Sequence, residues 1–141
     1  MTTEDAVPCG EMHLERMLAG LAVDVQPGTF TYVTDDVPIP TQEVSAMIRE
    51  PEGTTLVLEV ETARAHGIPP GFEAAWLTVR VHSSLEAVGL TAALSAALAA
   101  SGIPCNVLAG FFHDHLLVPV HRSEEALEAL DRLRRQNSGL V

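Results

Sequence analysis

Basic side chains are scarce in this chain: eight Lys and Arg stand against 19 Asp and Glu, giving a net charge of −11 over 141 residues. A nucleic-acid partner is therefore not expected, because a phosphate backbone must be met by clustered cations. Anionic membrane surfaces are disfavoured for the same reason. The one tight basic group, Arg132, Arg134 and Arg135, reads as cations near a helix C-terminus, where they complement the helix dipole. Cysteine is nearly absent. Cys9 and Cys105 lie far apart in sequence, which argues against a disulfide-stapled framework and for a reducing compartment. The longest apolar stretch, residues 85–100, is too short and too Ala-rich to span a bilayer. The opening Met1-Thr2-Thr3-Glu4-Asp5 has no basic signal-peptide region, so a soluble, cytoplasmic protein is expected.

What remains is an alternation of short elements. Residues 1–10 read as a flexible tail. A short amphipathic helix over residues 11–21 carries Met12, Leu14, Met17, Leu18 and Leu21 at near-helical spacing and is followed by the Gln26-Pro27-Gly28 turn. Residues 29–33 alternate like a strand, 35–42 form a loop, and 45–49 with 54–60 make a hairpin around Glu50-Pro51-Glu52-Gly53. A short helix over 61–66 stops at Gly67, and Ile68-Pro69-Pro70-Gly71 is the internal boundary. Beyond it the pattern is strand 74–82, helix 85–100, strand 103–110, strand 115–120 and helix 123–136, with Ser123 as N-cap of the last. Strand, helix, strand, strand, helix is a split βαβ unit short of its final strand. The open edge calls for cover, from residues 54–60 or from a partner chain.

The junction at His82-Ser83-Ser84-Leu85-Glu86-Ala87-Val88-Gly89 draws attention first. Ser83 followed three residues later by Glu86 matches a capping box, and a helix N-terminus offers a partly positive backbone pocket to a carboxylate. A well-capped structural helix explains the same residues. Gly89 within that helix weakens it, so a close contact is expected there. Asn106 could offer both donors and an acceptor to an amino acid, or be satisfied by neighbouring backbone. Cys105 reads as a small buried hydrophobe. Gly110, ahead of Phe111-Phe112, suggests a bulge or a close backbone approach.

Three segments carry a family resemblance: Phe72 to Val79, His82 to Thr91, and Gly102-Ile103-Pro104-Cys105-Asn106-Val107-Leu108-Ala109-Gly110-Phe111-Phe112-His113-Asp114-His115. With Gln26-Pro27-Gly28 and Glu52 to Val57 they resemble small bacterial tandem ACT-domain proteins, similar to the paired ACT modules of amino-acid sensors and aspartokinase regulatory regions. The resemblance implies an α+β, ferredoxin-like fold in two βαββα-type units that share strands in antiparallel sheets, over residues 11–71 and 72–141. It implies a non-catalytic regulatory role, no cofactor, and a small-molecule ligand such as an amino acid. Carried over by position, the ligand-binding residues are His82, Ser83, Ser84, Leu85 and Gly89, faced by Pro104, Cys105, Asn106 and Val107. Ser83-Ser84 stands where many ACT modules have a Gly-rich or Asp/Asn turn. A homodimer is expected, since such sheets pair and an open edge needs cover.

Two other readings compete. His113-Asp114-His115 could place two imidazoles on one side of a strand and, with His82 or His121, ligate zinc in a metal-dependent hydrolase or lyase. The same triplet fits a hairpin turn, with His113 or Asp114 hydrogen-bonding across to the junction at 82–83 and His115 supporting them from behind. A purely structural assembly module is the third possibility.

Overall fold

The computed structural model describes residues 11–81 and 88–138, and one antiparallel sheet organises all of them. In chain order the elements are α1 (Glu11–Ala19), β1 (Ala22–Val25), β2 (Phe30–Thr34), β3 (Ala46–Glu50), β4 (Gly53–Glu59), α2 (Val60–Ala65), β5 (Ala74–Arg80), α3 (Leu90–Ala100), β6 (Asn106–Ala109), β7 (Asp114–Pro119) and α4 (Ser123–Ser138). Six of the seven strands run in the order β3-β4-β2-β5-β7-β6, and the seventh, β1, pairs with β5.

The final strand that residues 72–141 lack comes from the other end of the chain. β1 lies antiparallel to β5, with Val23 opposite Val79 and Val25 opposite Leu77, so β1-β5-β7-β6 has the strand order of a complete ferredoxin-like unit. Residues 54–60 do not take that place; as β4 they pair with β2 and β3. β1 is invisible in the sequence pattern because four residues, Ala-Val-Asp-Val, show too little alternation beside a Pro-Gly turn. Past Gln26-Pro27-Gly28 the chain continues as β2, which touches β5 only at Phe30 opposite Ala74 and then follows β4.

The two faces of β5 and β7 differ in what covers them. Ala75, Leu77 and Val79 of β5, with Leu116 and Val118 of β7, pack beneath Met17, Leu18, Leu90, Leu94, Leu98, Ala126 and Leu130 of α1, α3 and α4. Trp76 and Leu117 point the other way and gather with Phe30, Val57 and Ala74. Leu56, Leu58 and Ala63 form a third cluster beneath α2. Strict alternation along β5 produces this division, because successive side chains of a strand leave on opposite faces.

Local signals set most of the boundaries. Gly67 and Gly102 stop their helices with Schellman geometry: Ile68 N donates to Ala63 O at 2.9 Å and Ile103 N to Leu98 O at 3.0 Å. The β3–β4 turn is tighter than the four residues expected, with Glu50 paired to Gly53 across Pro51-Glu52. α4 starts differently from the expectation. A short 3₁₀ turn over Val120–Arg122 leads into it, and Ser123 is already helical (φ −60°, ψ −40°) and is no N-cap. Arg122 instead binds the end of α3, donating to Gly102 O at 2.8 Å and Ser101 O at 3.0 Å while pairing with Glu125.

Candidate functional site

Of the expected ligand residues, His82, Ser83, Ser84 and Leu85 lie outside the described residues, as does the Ser83–Glu86 capping box. The expectation that one helix runs over 85–100 is corrected at Gly89. α3 begins at Leu90, and Gly89 is its N-cap, in the left-handed region at φ 94°. Among the described residues no side chain caps this end, and the first intrahelical bond runs from Ala93 N to Gly89 O at 2.9 Å, so the amides of the first turn have no partner among those residues. The close contact expected at Gly89 exists, but with another helix: a Cβ there would lie 3.1 Å from Leu14 Cδ2 of α1. Pro104 and Asn106 are exposed, Cys105 and Val107 half-buried against the helical core. Burial raises the Cys105 thiol above its usual pKa, which keeps it protonated and unreactive near neutrality. Burial also raises the phenol of Tyr32, with Cys105 adding to the effect.

The His113-Asp114-His115 triplet straddles the end of a turn. Gly110 N donates to His113 O at 2.9 Å to close the β6–β7 hairpin, and Asp114 and His115 open β7. The His113 and His115 rings are perpendicular with centroids 6.4 Å apart. Among the described residues no group of three or more His, Cys, Asp or Glu side chains could hold a metal ion. The close backbone approach expected at Gly110 is present, just past the end of β6: a Cβ there would come within 3.0 Å of His113 O and 3.2 Å of His115 Nε2.

His115 belongs to an arrangement the sequence did not reveal. Thr78 and His115 face one another across β5 and β7, on the side of the sheet opposite α3 and α4. The Trp76 indole N–H donates to His115 Nδ1 at 3.0 Å, and the Thr78 hydroxyl lies 3.1 Å from the same nitrogen. An indole nitrogen can only donate, so Nδ1 is an acceptor, the imidazole is neutral, and its proton sits on Nε2. Thr78 Oγ1 then donates to Nδ1 and accepts from Gln26 Nε2 at 3.0 Å. Burial foremost, and then the neighbouring His113, lower the His115 pKa, while Asp114 acts in the opposite sense.

These side chains line an open cleft of about 290 Å³, completed by Pro27, Phe30, Ser45 and Glu59. Phe30 and Trp76 meet edge to face at 5.1 Å. The turn that forms one wall is held between two elements: Gln26 N donates to Trp76 O at 2.9 Å, and Val60 N to Thr29 O at 2.8 Å. Gly28, at φ 95°, is needed there, because a Cβ would lie 3.1 Å from Glu59 Oε1. Of the lining residues only His115 was singled out for a role. The available signal was the alternation of Trp76 and Thr78 on one face of β5, but nothing local tells that Gln26 lies beside Thr78, 52 positions away. A smaller cleft of about 230 Å³ lies between β1 and α4, where its charged pair, Asp131 and Arg134, is already joined at 2.9 Å.

A ferredoxin-like sheet assembled from two intertwined halves, with helices against one face, is a tandem ferredoxin-like architecture. The sequence matches two ACT-domain family models, over residues 9–75 and 72–132, and the chain belongs to the ACT-domain family. Its structure is similar to that of a protein of unknown function from Vibrio cholerae described as a possible transport protein: 38% identity, TM-score 0.76, covering 86% of this chain and 96% of that one. It also resembles the regulatory subunit of aspartate kinase from Thermus thermophilus, with 12% identity, TM-score 0.57, and coverage of 80% and 95%. An Agrobacterium tumefaciens protein matches at 16% identity and TM-score 0.57, over 81% and 89%. At these last two identities the likeness is one of fold. No curated protein matches the chain in sequence. Among the described residues, no helix is long and apolar enough to cross a membrane.

Proposed function

We propose that this ACT-domain protein is a non-catalytic regulatory module that binds an amino acid or a similar small carboxylate where β5 hands over to α3, within residues 82–89 and against Pro104 to Val107. The observation that supports this reading is the start of α3: Gly89 turns the chain, no described side chain caps the helix, and the first-turn amides carry the positive end of its dipole. A carboxylate there would satisfy donors that no described residue meets.

On this reading residues 11–71 and 72–141 act as two ACT-like units, and the protein works in the cytoplasm as a homodimer. The strand order leaves β3 and β6 at its ends, with Met47 and Ile48 of β3 exposed, and edge pairing would cover one of them. Analytical ultracentrifugation at micromolar concentration tests the dimer directly.

A thermal-shift screen of the proteinogenic amino acids tests the ligand. One that binds should raise stability by about 2.7 kcal/mol at a hundredfold excess over its Kd. If none raises the melting temperature at millimolar concentration, the amino-acid reading fails.

A further inference from the structure

The cleft over Trp76 has a chemistry opposite to that of a carboxylate site. Its acceptors are the Glu59 carboxylate, the Gln26 carbonyl and the hydroxyls of Ser45 and Thr78, and its apolar wall is Phe30, Trp76 and Pro27. Among the described residues no cationic side chain lines it, and the chain contains no lysine at all. Arg80, the next residue on this face of β5, is engaged by Asp24 at 2.6 Å. His115 is held neutral by the two donors converging on Nδ1, so it brings no positive charge. A carboxylate in this cleft would lose water beside Glu59 and find no cation in return.

From these observations we propose that the cleft is a second binding site, for a small organic ammonium compound whose charged nitrogen sits beside Glu59 and whose apolar body lies against Trp76 and Phe30. An ammonium group gains from a carboxylate, from carbonyl and hydroxyl acceptors, and from the faces of aromatic rings. The net charge of −11 draws such cations to the protein before they reach the cleft. The volume of about 290 Å³ suits a compound the size of one amino acid, at the small end of ligand pockets. The site stands on the face of the sheet opposite α3, so it does not depend on the amino-acid reading above.

Trp76 is the chain's only tryptophan, and its emission therefore reports on the cleft alone. The test is a fluorescence titration of the full chain near neutral pH with three probes that share a branched apolar body: isopentylamine, isopentanol and isocaproate. Isopentylamine is expected to change the Trp76 emission saturably in the millimolar range, and the other two to leave it flat. Glu59→Gln, which keeps the shape and removes the charge, should weaken the amine by about tenfold, and Ser45→Ala by a smaller factor. The proposal is overturned if the amine gives no saturable response, if isopentanol or isocaproate responds as strongly, or if a folded E59Q binds the amine as well as the native chain does. The probe comparison on the native chain decides the matter even if E59Q does not fold. A failure here leaves the amino-acid thermal shifts untouched, and the reverse also holds.

Discussion

Trp76 and His115, 39 positions apart, are joined by a hydrogen bond from the indole Nε1–H to the imidazole Nδ1 at 3.0 Å. Their rings also meet edge to face, with centroids 5.2 Å apart. The bond exists only while Nδ1 is bare. Protonating His115 would set two N–H groups against each other and release the indole.

Stability should therefore depend on pH through His115. Its folded pKa lies below the ordinary imidazole value of 6.5. Between those two values the unfolded chain binds more protons than the folded one, so stability rises with pH there and levels off above about pH 6.5. As pH falls below that point the His115 contribution is progressively lost. Denaturant titrations from mildly acidic to neutral pH should show this slope in the native chain and a flatter one in His115→Gln. Equal slopes would mean that His115 is not held neutral.

Gly89→Ala should destabilise the protein by about 1–3 kcal/mol, because it sets a Cβ on left-handed backbone and drives it into Leu14. Leu14→Ala in the same chain should recover the steric part of that loss and leave the backbone part. A double-mutant cycle by chemical denaturation measures the coupling; strict additivity would show that α1 does not press on the start of α3.

Leu98 is fully buried beneath the helices, and Leu18 nearly so, in the same cluster although one is on α3 and the other on α1. Truncating either to Ala should cost about 2–5 kcal/mol. A loss for Leu18→Ala as large as that for Leu98→Ala would show that α1 is part of the core of the later half. A negligible loss would make α1 an ornament on the surface.

Phe111 and Phe112 stack edge to face at 5.0 Å at the tip of the β6–β7 hairpin, each about 80% exposed. Replacing both with Ser should change the unfolding free energy by no more than about 0.5 kcal/mol, as expected of surface positions. A larger loss in denaturant titrations would mean that the pair is covered in solution.

The helical core is legible in the sequence. Leu94, Leu98, Ala126 and Leu130 lie at helical spacing, the Gly67 and Gly102 stops are local chemistry, and the alternation along 74–80 marks a strand with two apolar faces. The start of α3 is not legible, because Leu85 to Val88 give no local stop signal and nothing nearby announces that Gly89 adopts φ 94°. The charge balance is equally a matter of composition: eight basic against 19 acidic side chains leave few cations to set against a phosphate backbone, however the chain folds.

Determined by the sequence alone were the short-range choices, where each residue's neighbours along the chain settle the outcome: helix stops, the Pro-Gly turns, and the ferredoxin-like pattern of elements. Only the tertiary structure decided that Ala22–Val25 supplies the missing strand beside β5, and that Gln26, Thr78, Trp76 and His115 converge on one cleft. The physical reason is that strand pairing is a contest among distant segments. β1 takes the β5 edge because Leu21, just before it, is buried in the helical core and Val23 packs against that core, a gain that appears only once those elements are already in place.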